Sequence, residues 1–152
     1  MKNESKSMQM LHFSISIHAP KEKVWHTMLD DKTYPKWTTV FHEGSLYKGS
    51  WEKGSKIQFL DPTGSGMFSR IEENKPYEFV SIEHLGFIKD GKEDLKSEGA
   101  KALAGAHENY TFKEKDGITD LSIDADTPEE YKEMFEDMWP KALSKLRELA
   151  EE

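Results

Sequence analysis

The chain has 152 residues, 29 of them acidic and 21 basic for a formal charge of −8, and no cysteine. That length is one domain's worth of sequence. Without cysteine, disulfide scaffolds, thiolate zinc sites and cysteine nucleophiles are excluded, and the negative balance works against a phosphate backbone or an anionic membrane as partner. Its 36% hydrophobic residues fall in periodic blocks beside 33% charged ones, which describes a folded chain rather than a disordered one.

Met1 to Met10 is polar and lacks the apolar core of a signal peptide. Residues 1–9 are expected to be a flexible N-terminus of a single domain spanning 1–152. No run approaches the roughly 18 apolar residues of a membrane helix, so the expected compartment is the cytoplasm. Leu11 to Ile17 then alternates strictly, with Leu11, Phe13, Ile15 and Ile17 on one face, as in a half-buried strand. Pro20 suits a first helical position, and Val24, Trp25 and Met28 follow at helical spacing, predicting a short helix over Pro20–Leu29. A second short helical turn near Tyr34-Pro35 would point Tyr34 and Trp37 inward.

From residue 40 the sequence reads as short strands: Val40–Tyr47, Lys56–Leu60, Met67–Glu73, Tyr77–Leu85, Glu108–Lys115 and Ile118–Ala125. The Asp116-Gly117 pair supplies the positive φ angles of a two-residue type I′ hairpin turn, and successive hairpins imply an antiparallel meander. Gly86 to Gly105 reads as a long connection, rich in Gly, Lys, Asp, Ala and Ser, and is expected to be a flap. At the C-terminus, Thr127 can cap, Pro128 can take the first helical position, and Glu129-Glu130 complement the positive helix end. Tyr131, Met134, Phe135, Met138, Trp139, Ala142, Leu143, Leu146 and Leu149 recur every three or four residues, predicting a long amphipathic helix over Pro128–Ala150 that Pro140 should bend.

The predicted fold class is therefore α+β, a curved antiparallel sheet of six or seven strands around a long C-terminal helix, with two short helices after the first strand. One helix does not easily fill a deeply curved sheet, so a hollow between them is expected, and hollows are the default ligand sites. The residues in order are similar to the helix-grip fold of the Bet v 1/START (SRPBCC) superfamily. They resemble in particular its branch named for the activator of Hsp90 ATPase. The resemblance rests on Ile17-His18-Ala19-Pro20 with Val24-Trp25, Trp37-Thr38, Gly44-Ser45 and Trp51-Glu52-Lys53-Gly54-Ser55-Lys56-Ile57. It continues through Gly66-Met67-Phe68-Ser69-Arg70-Ile71, Ser81-Ile82-Glu83-His84-Leu85-Gly86, Glu108-Asn109-Tyr110-Thr111-Phe112 and Trp139 with Ala142-Leu143 and Leu146.

That resemblance implies a non-catalytic binder of a small hydrophobic or amphipathic molecule. Trp37, Phe68, Phe79, Tyr110, Phe135, Met138 and Trp139 would form its apolar wall, with His84 and Glu108 as polar anchors. The flap and the Pro140 bend would gate access. Alternation places Glu83 and His84 on opposite faces, and likewise His107 and Glu108, so at most half of this group can face one cavity. His84 with Glu108 or Tyr110 has the composition of a general acid–base pair, of an anchor for a polar ligand group, or simply of a satisfied buried histidine. The rival functions are a cyclase-like enzyme using His84 and Glu108, and a co-chaperone-like module with an Hsp90-type partner. Against the latter, these 152 residues hold no counterpart of the extra N-terminal domain that eukaryotic co-chaperones of the family carry. No cofactor is called for, and no metal site, because no helical or hairpin spacing gathers three ligands. Serine nucleophile motifs are missing, no nucleic-acid or membrane partner is expected, and the chain would act as a monomer or homodimer.

Overall fold

The computed structural model describes residues 8–152. Strand β1 (Met8–Ile17) leads into helix α1 (Lys21–Leu29) and helix α2 (Tyr34–Trp37), which continues as a 3-10 turn at Thr38–Val40. Strands β2 (Leu46–Gly49), β3 (Lys56–Leu60), β4 (Gly66–Lys75), β5 (Phe79–Lys89) and β6 (Lys92–Asp94) follow. Helix α3 (Glu98–Leu103), strands β7 (His107–Lys115) and β8 (Ile118–Pro128), a 3-10 turn at Glu129–Tyr131 and helix α4 (Lys132–Ala150) complete the chain. The strands form one open antiparallel sheet in the order β1-β8-β7-β5-β4-β3-β2, with the short β6 added beside β5. The α+β architecture expected from the sequence is thus present, with one more small strand than predicted.

The alternation in β1 decides which way the sheet faces. Leu11 and Ile17 are buried, Phe13 and Ile15 half-buried, and the residues between them exposed. Val80 and Ile82 of β5, Tyr110 and Phe112 of β7, and Leu121 and Ile123 of β8 extend the same apolar face. Trp25 and Met28 of α1, Trp37 of α2, and Trp139, Leu143 and Leu146 of α4 cover it, all within one core. Burying a large side chain of this kind contributes about 1.5–3 kcal/mol, so this concave face holds the fold together.

Four expectations need correction. Residues 40–45 are not strand: Val40 ends the 3-10 turn, Phe41 caps it, and pairing begins only at Leu46. Phe41 serves instead as a packing residue, with its ring 4.9 Å from that of Trp139. The segment Gly86–Gly105 is not a flap. β5 runs on to Lys89, turns at Asp90-Gly91 with φ of 50° and 80°, returns as β6, and leads into α3, which packs on β5. A Cβ on Gly86 would lie 2.5 Å from the Asp94 carbonyl oxygen, so this hairpin closes down onto the strand.

The C-terminal helix starts later than predicted. Thr127 and Pro128 belong to β8, where Pro128 pairs with Met8 and Thr127 Oγ1 donates to the Ala125 carbonyl. Long pairing with β1 therefore outcompetes a local cap. At the other end of the chain, the predicted flexible segment 1–9 lies outside the described residues except for Met8 and Gln9, which are paired in β1. Pro140 sits inside α4 as read from the sequence, and Asp116-Gly117 forms its hairpin with both φ angles positive.

Candidate functional site

Two strand pairings build the candidate site. β5 and β7 pair so that Ile82 faces Glu108 and Val80 faces Tyr110. Beyond this ladder the His84 amide donates to the Ala106 carbonyl at 2.8 Å, and the Gly105 amide donates to the His84 carbonyl at 2.9 Å. On the other side, β4 brings Ser69 opposite His84 through a β-bulge in which Leu85 is the extra residue.

The result is a chain of polar groups on the concave face. His84 Nδ1 is hydrogen-bonded to Ser69 Oγ at 2.8 Å, and its Nε2 lies 3.4 Å from Glu108 Oε1. The other carboxylate oxygen of Glu108 accepts a hydrogen bond from the Tyr110 hydroxyl. Ser69 and His84 are buried, at 0% and 4% accessibility, whereas the Glu108 side chain keeps 17%. Tyr34 of α2 closes the group. Its ring stacks edge-on with Trp37 and Tyr47, and among the described residues its hydroxyl makes no hydrogen bond.

Electrostatics follow from this burial. Desolvation, then the nearby charge of Glu108, raises the phenol pKa of both Tyr34 and Tyr110 well above the usual value near 10. Both are therefore hydrogen-bond donors rather than phenolates at any physiological pH. Tyr47 is shifted the same way, again chiefly by burial, and its hydroxyl donates to the Leu29 carbonyl at 2.6 Å.

An aromatic cluster encloses this polar chain. The Trp139 ring lies within 6.0 Å of Phe13, 6.2 Å of Trp37 and 6.3 Å of Tyr110. The Trp37 indole N–H donates to the Met28 carbonyl, which fixes that ring. Phe135 lies over Phe41 at 6.1 Å and is half-buried, as is Met138. Every fully buried residue of α4 lies at or after Trp139, while Tyr131 and Met134 before it are 42% and 43% exposed.

Most residues singled out from the sequence thus share one face: Trp37, His84, Glu108, Tyr110, Trp139 and the half-buried Phe135. Phe68 and Phe79 do not. Phe79 alternates with Val80 and so projects from the opposite, convex side. Phe68, on the far side of the bulge from Ser69, packs with Leu60 and Ile88 in a separate small cluster. There it lines an open groove of about 720 Å³ together with Lys56, Gln58, Leu85, Glu93 and Leu95. Ser69 was not among the residues singled out, and Tyr34 was expected only to face inward, not to be a site residue. The β5 bulge at Leu85, which sets Ser69 opposite His84, leaves no local signature in the sequence.

The convex face holds a second histidine cluster. His107 Nε2 lies 2.8 Å from Glu72, and Arg70 is ion-paired with Glu83. Glu72, the extra residue of a second bulge in β4, approaches so that ligand atoms of Glu72, Glu83 and His107 all lie within 4.8 Å of one another. Three donors are therefore gathered where neither helical nor hairpin spacing predicted it. Arg70 already occupies Glu83, and Glu72 is exposed.

The sequence profile described as "Activator of Hsp90 ATPase homolog 1-like protein" matches residues 18–151. No curated protein matches the chain. Among solved structures, the Aha1 dimer from Colwellia psychrerythraea superposes with a TM-score of 0.72 at 17% identity, covering 95% of this chain and 97% of that one. CalU16 from Micromonospora echinospora gives a TM-score of 0.63 at 18% identity, covering 94% and 76%. DynU16, encoded in the dynemicin biosynthetic locus, gives 0.68 at 14% identity over 91% of this chain, which spans only 46% of the length of DynU16. At these identities the superpositions establish the helix-grip fold. No helix among the described residues is long and apolar enough to cross a membrane. With the profile covering most of its length, the chain belongs to the Activator of Hsp90 ATPase homolog 1-like family, within the SRPBCC helix-grip superfamily.

Proposed function

We propose that the protein is a non-catalytic binder of a small hydrophobic or amphipathic molecule, held between the concave face of the sheet and the first half of α4. One observation carries the reading: the buried residues of α4 begin only at Trp139, while before them lie half-buried Phe135 and Met138 beside exposed Met134 and, in the preceding 3-10 turn, exposed Tyr131. Side chains of this kind, rigid aromatics with adaptable methionine, suit an apolar guest. Glu108, with part of its surface accessible, and the Tyr34 hydroxyl, which no described residue accepts, would be the polar anchors. The test is titration with an environment-sensitive apolar dye, followed through the emission of Trp37 and Trp139. Saturable binding, competed by lipids or aromatic metabolites and weakened by Phe135→Ala and Met138→Ala, is expected. No saturable binding would overturn the reading.

A second reading is favoured by the His84–Glu108 contact at 3.4 Å with Tyr110 on the same carboxylate. Such a chain can move a proton between a guest and the protein, as acid–base catalysis requires. In that case His84→Ala abolishes turnover of a bound substrate while leaving its binding measurable.

A further inference from the structure

We infer that the guest of this site presents a hydrogen-bond donor without negative charge at its polar end, such as a phenol, alcohol or amine, and that carboxylate amphiphiles are rejected. The inference rests on the binding reading above and names the chemical class of its ligand. Its first support is the donor–acceptor inventory of the concave face. One oxygen of Glu108 accepts from Tyr110, the other lies 3.4 Å from His84 Nε2, and the carboxylate retains lone pairs for a further donor. Tyr34 offers an O–H that no described residue accepts. A hydroxyl or amine between them would donate to Glu108, and a hydroxyl would also accept from Tyr34. A carboxylate in the same place would meet Glu108 as a like charge in a poorly solvated setting.

The second support is what the interior lacks. Among the described residues no lysine or arginine is buried, and the one buried basic side chain, His84, has its two nitrogens directed at Ser69 and Glu108. Nothing there can neutralise an anionic headgroup. The third support is the rim. Residues 129–138, leading into and opening α4, carry Glu129, Glu130, Glu133, Glu136 and Asp137 against a single Lys132, all five acids are exposed, and Lys141 pairs with Asp137 alone. A mouth lined by one sign of charge raises the local concentration of the opposite sign and repels its own. Interior and rim therefore select in the same direction.

The test uses four probes on one naphthalene body, measured by calorimetry at pH 7 with the intact chain: 2-naphthol, 1-naphthylmethylamine, 2-methoxynaphthalene and 2-naphthoate. Naphthol or the amine should bind at least about tenfold more tightly than naphthoate, since a like charge or an unpaired buried polar group costs of that order or more. Tyr34→Phe should weaken naphthol, and Glu108→Gln should narrow the advantage of naphthol over methoxynaphthalene, which cannot donate, and shrink the penalty on naphthoate. Naphthoate binding as tightly as naphthol to the unmodified protein overturns the inference and leaves the binding reading standing. If neither methoxynaphthalene nor the apolar dye binds, the binding reading fails and the inference with it. The comparison among probes on the unmodified chain needs no variant to fold.

Discussion

Glu83-His84 and His107-Glu108 are the same two side chains in mirrored order, and antiparallel pairing sends one acid and one histidine to each face of the sheet. On the convex face, His107 meets Glu72 with 32% and 48% of their side chains accessible, and Arg70 pairs with Glu83. On the concave face, His84 and Glu108 are 4% and 17% accessible and are tied into a chain with Ser69 and Tyr110. The chemistry is shared and the surroundings are not. Exposed pairs are screened and contribute roughly 0–1 kcal/mol, whereas a buried polar group left without its partner costs about 1–3 kcal/mol. Position on one face or the other of a strand, not residue identity, decides which pair carries energetic weight.

The largest effect is expected where the concave side is broken at its cover. Trp139→Ala removes a ring in contact with Phe13, Trp37, Phe41 and Tyr110, and should cost about 3–5 kcal/mol in urea unfolding. A loss below about 1 kcal/mol would mean that α4 is loosely held there. Next comes the polar chain itself: Ser69→Ala leaves His84 Nδ1 buried without its partner and should cost about 1–3 kcal/mol. Glu72→Ala on the convex side should stay within about 1 kcal/mol. Equal losses from these two variants would erase the contrast between the faces.

Alkaline titration extends the contrast. A phenol whose pKa is raised by folding contributes stability that is present below about pH 10 and is lost as pH climbs towards its folded value. Tyr34 and Tyr110 are raised furthest, so their phenolate absorbance should appear only together with unfolding, and that of Tyr47, also raised, should come above the usual value. Ionisation of all tyrosines near pH 10 in the folded protein would contradict the enclosed site.

The smallest effect belongs to the convex pair. Hydrogen bonding to Glu72 raises His107 above its usual 6.5, and the same bond lowers Glu72 below its usual 4.5. The histidine's contribution is full below pH 6.5 and fades as pH rises through its folded value. That of the glutamate is present above pH 4.5 and is lost as pH falls through its folded value. Together they stabilise most between those limits, by no more than a few tenths of a kcal/mol after allowing for solvent screening. In an NMR titration, Glu72→Gln should bring His107 back down towards its usual value; an unchanged midpoint would assign the shift to another cause.

Much of the molecule was legible from local pattern. Strand β3 begins and ends where its alternation does, the Asp116-Gly117 turn forms as its dipeptide requires, and the leucine half of α4 is buried as its spacing implies. Even the opposition of His84 and Glu108 was within reach, because alternation and strand order together send them to one face. Other signals were present but unused: Asp90-Gly91 repeats the Asp116-Gly117 dipeptide and makes the same kind of turn, inside what read as a flap.

The remainder was decided by tertiary structure. Two bulges shift the register of β4 against β5: Leu85, extra in β5, sets Ser69 opposite His84 with Phe68 on the other face of β4, and Glu72, extra in β4, meets His107. Pairing of β8 with β1 as far as Pro128 delays the start of α4 despite a well-formed capping sequence. In each case the sequence determined periodicity, which is a property of near neighbours along the chain. Which periodic face met which partner depended on the register and packing of strands far apart in sequence, where one inserted residue changes the side to which a side chain points.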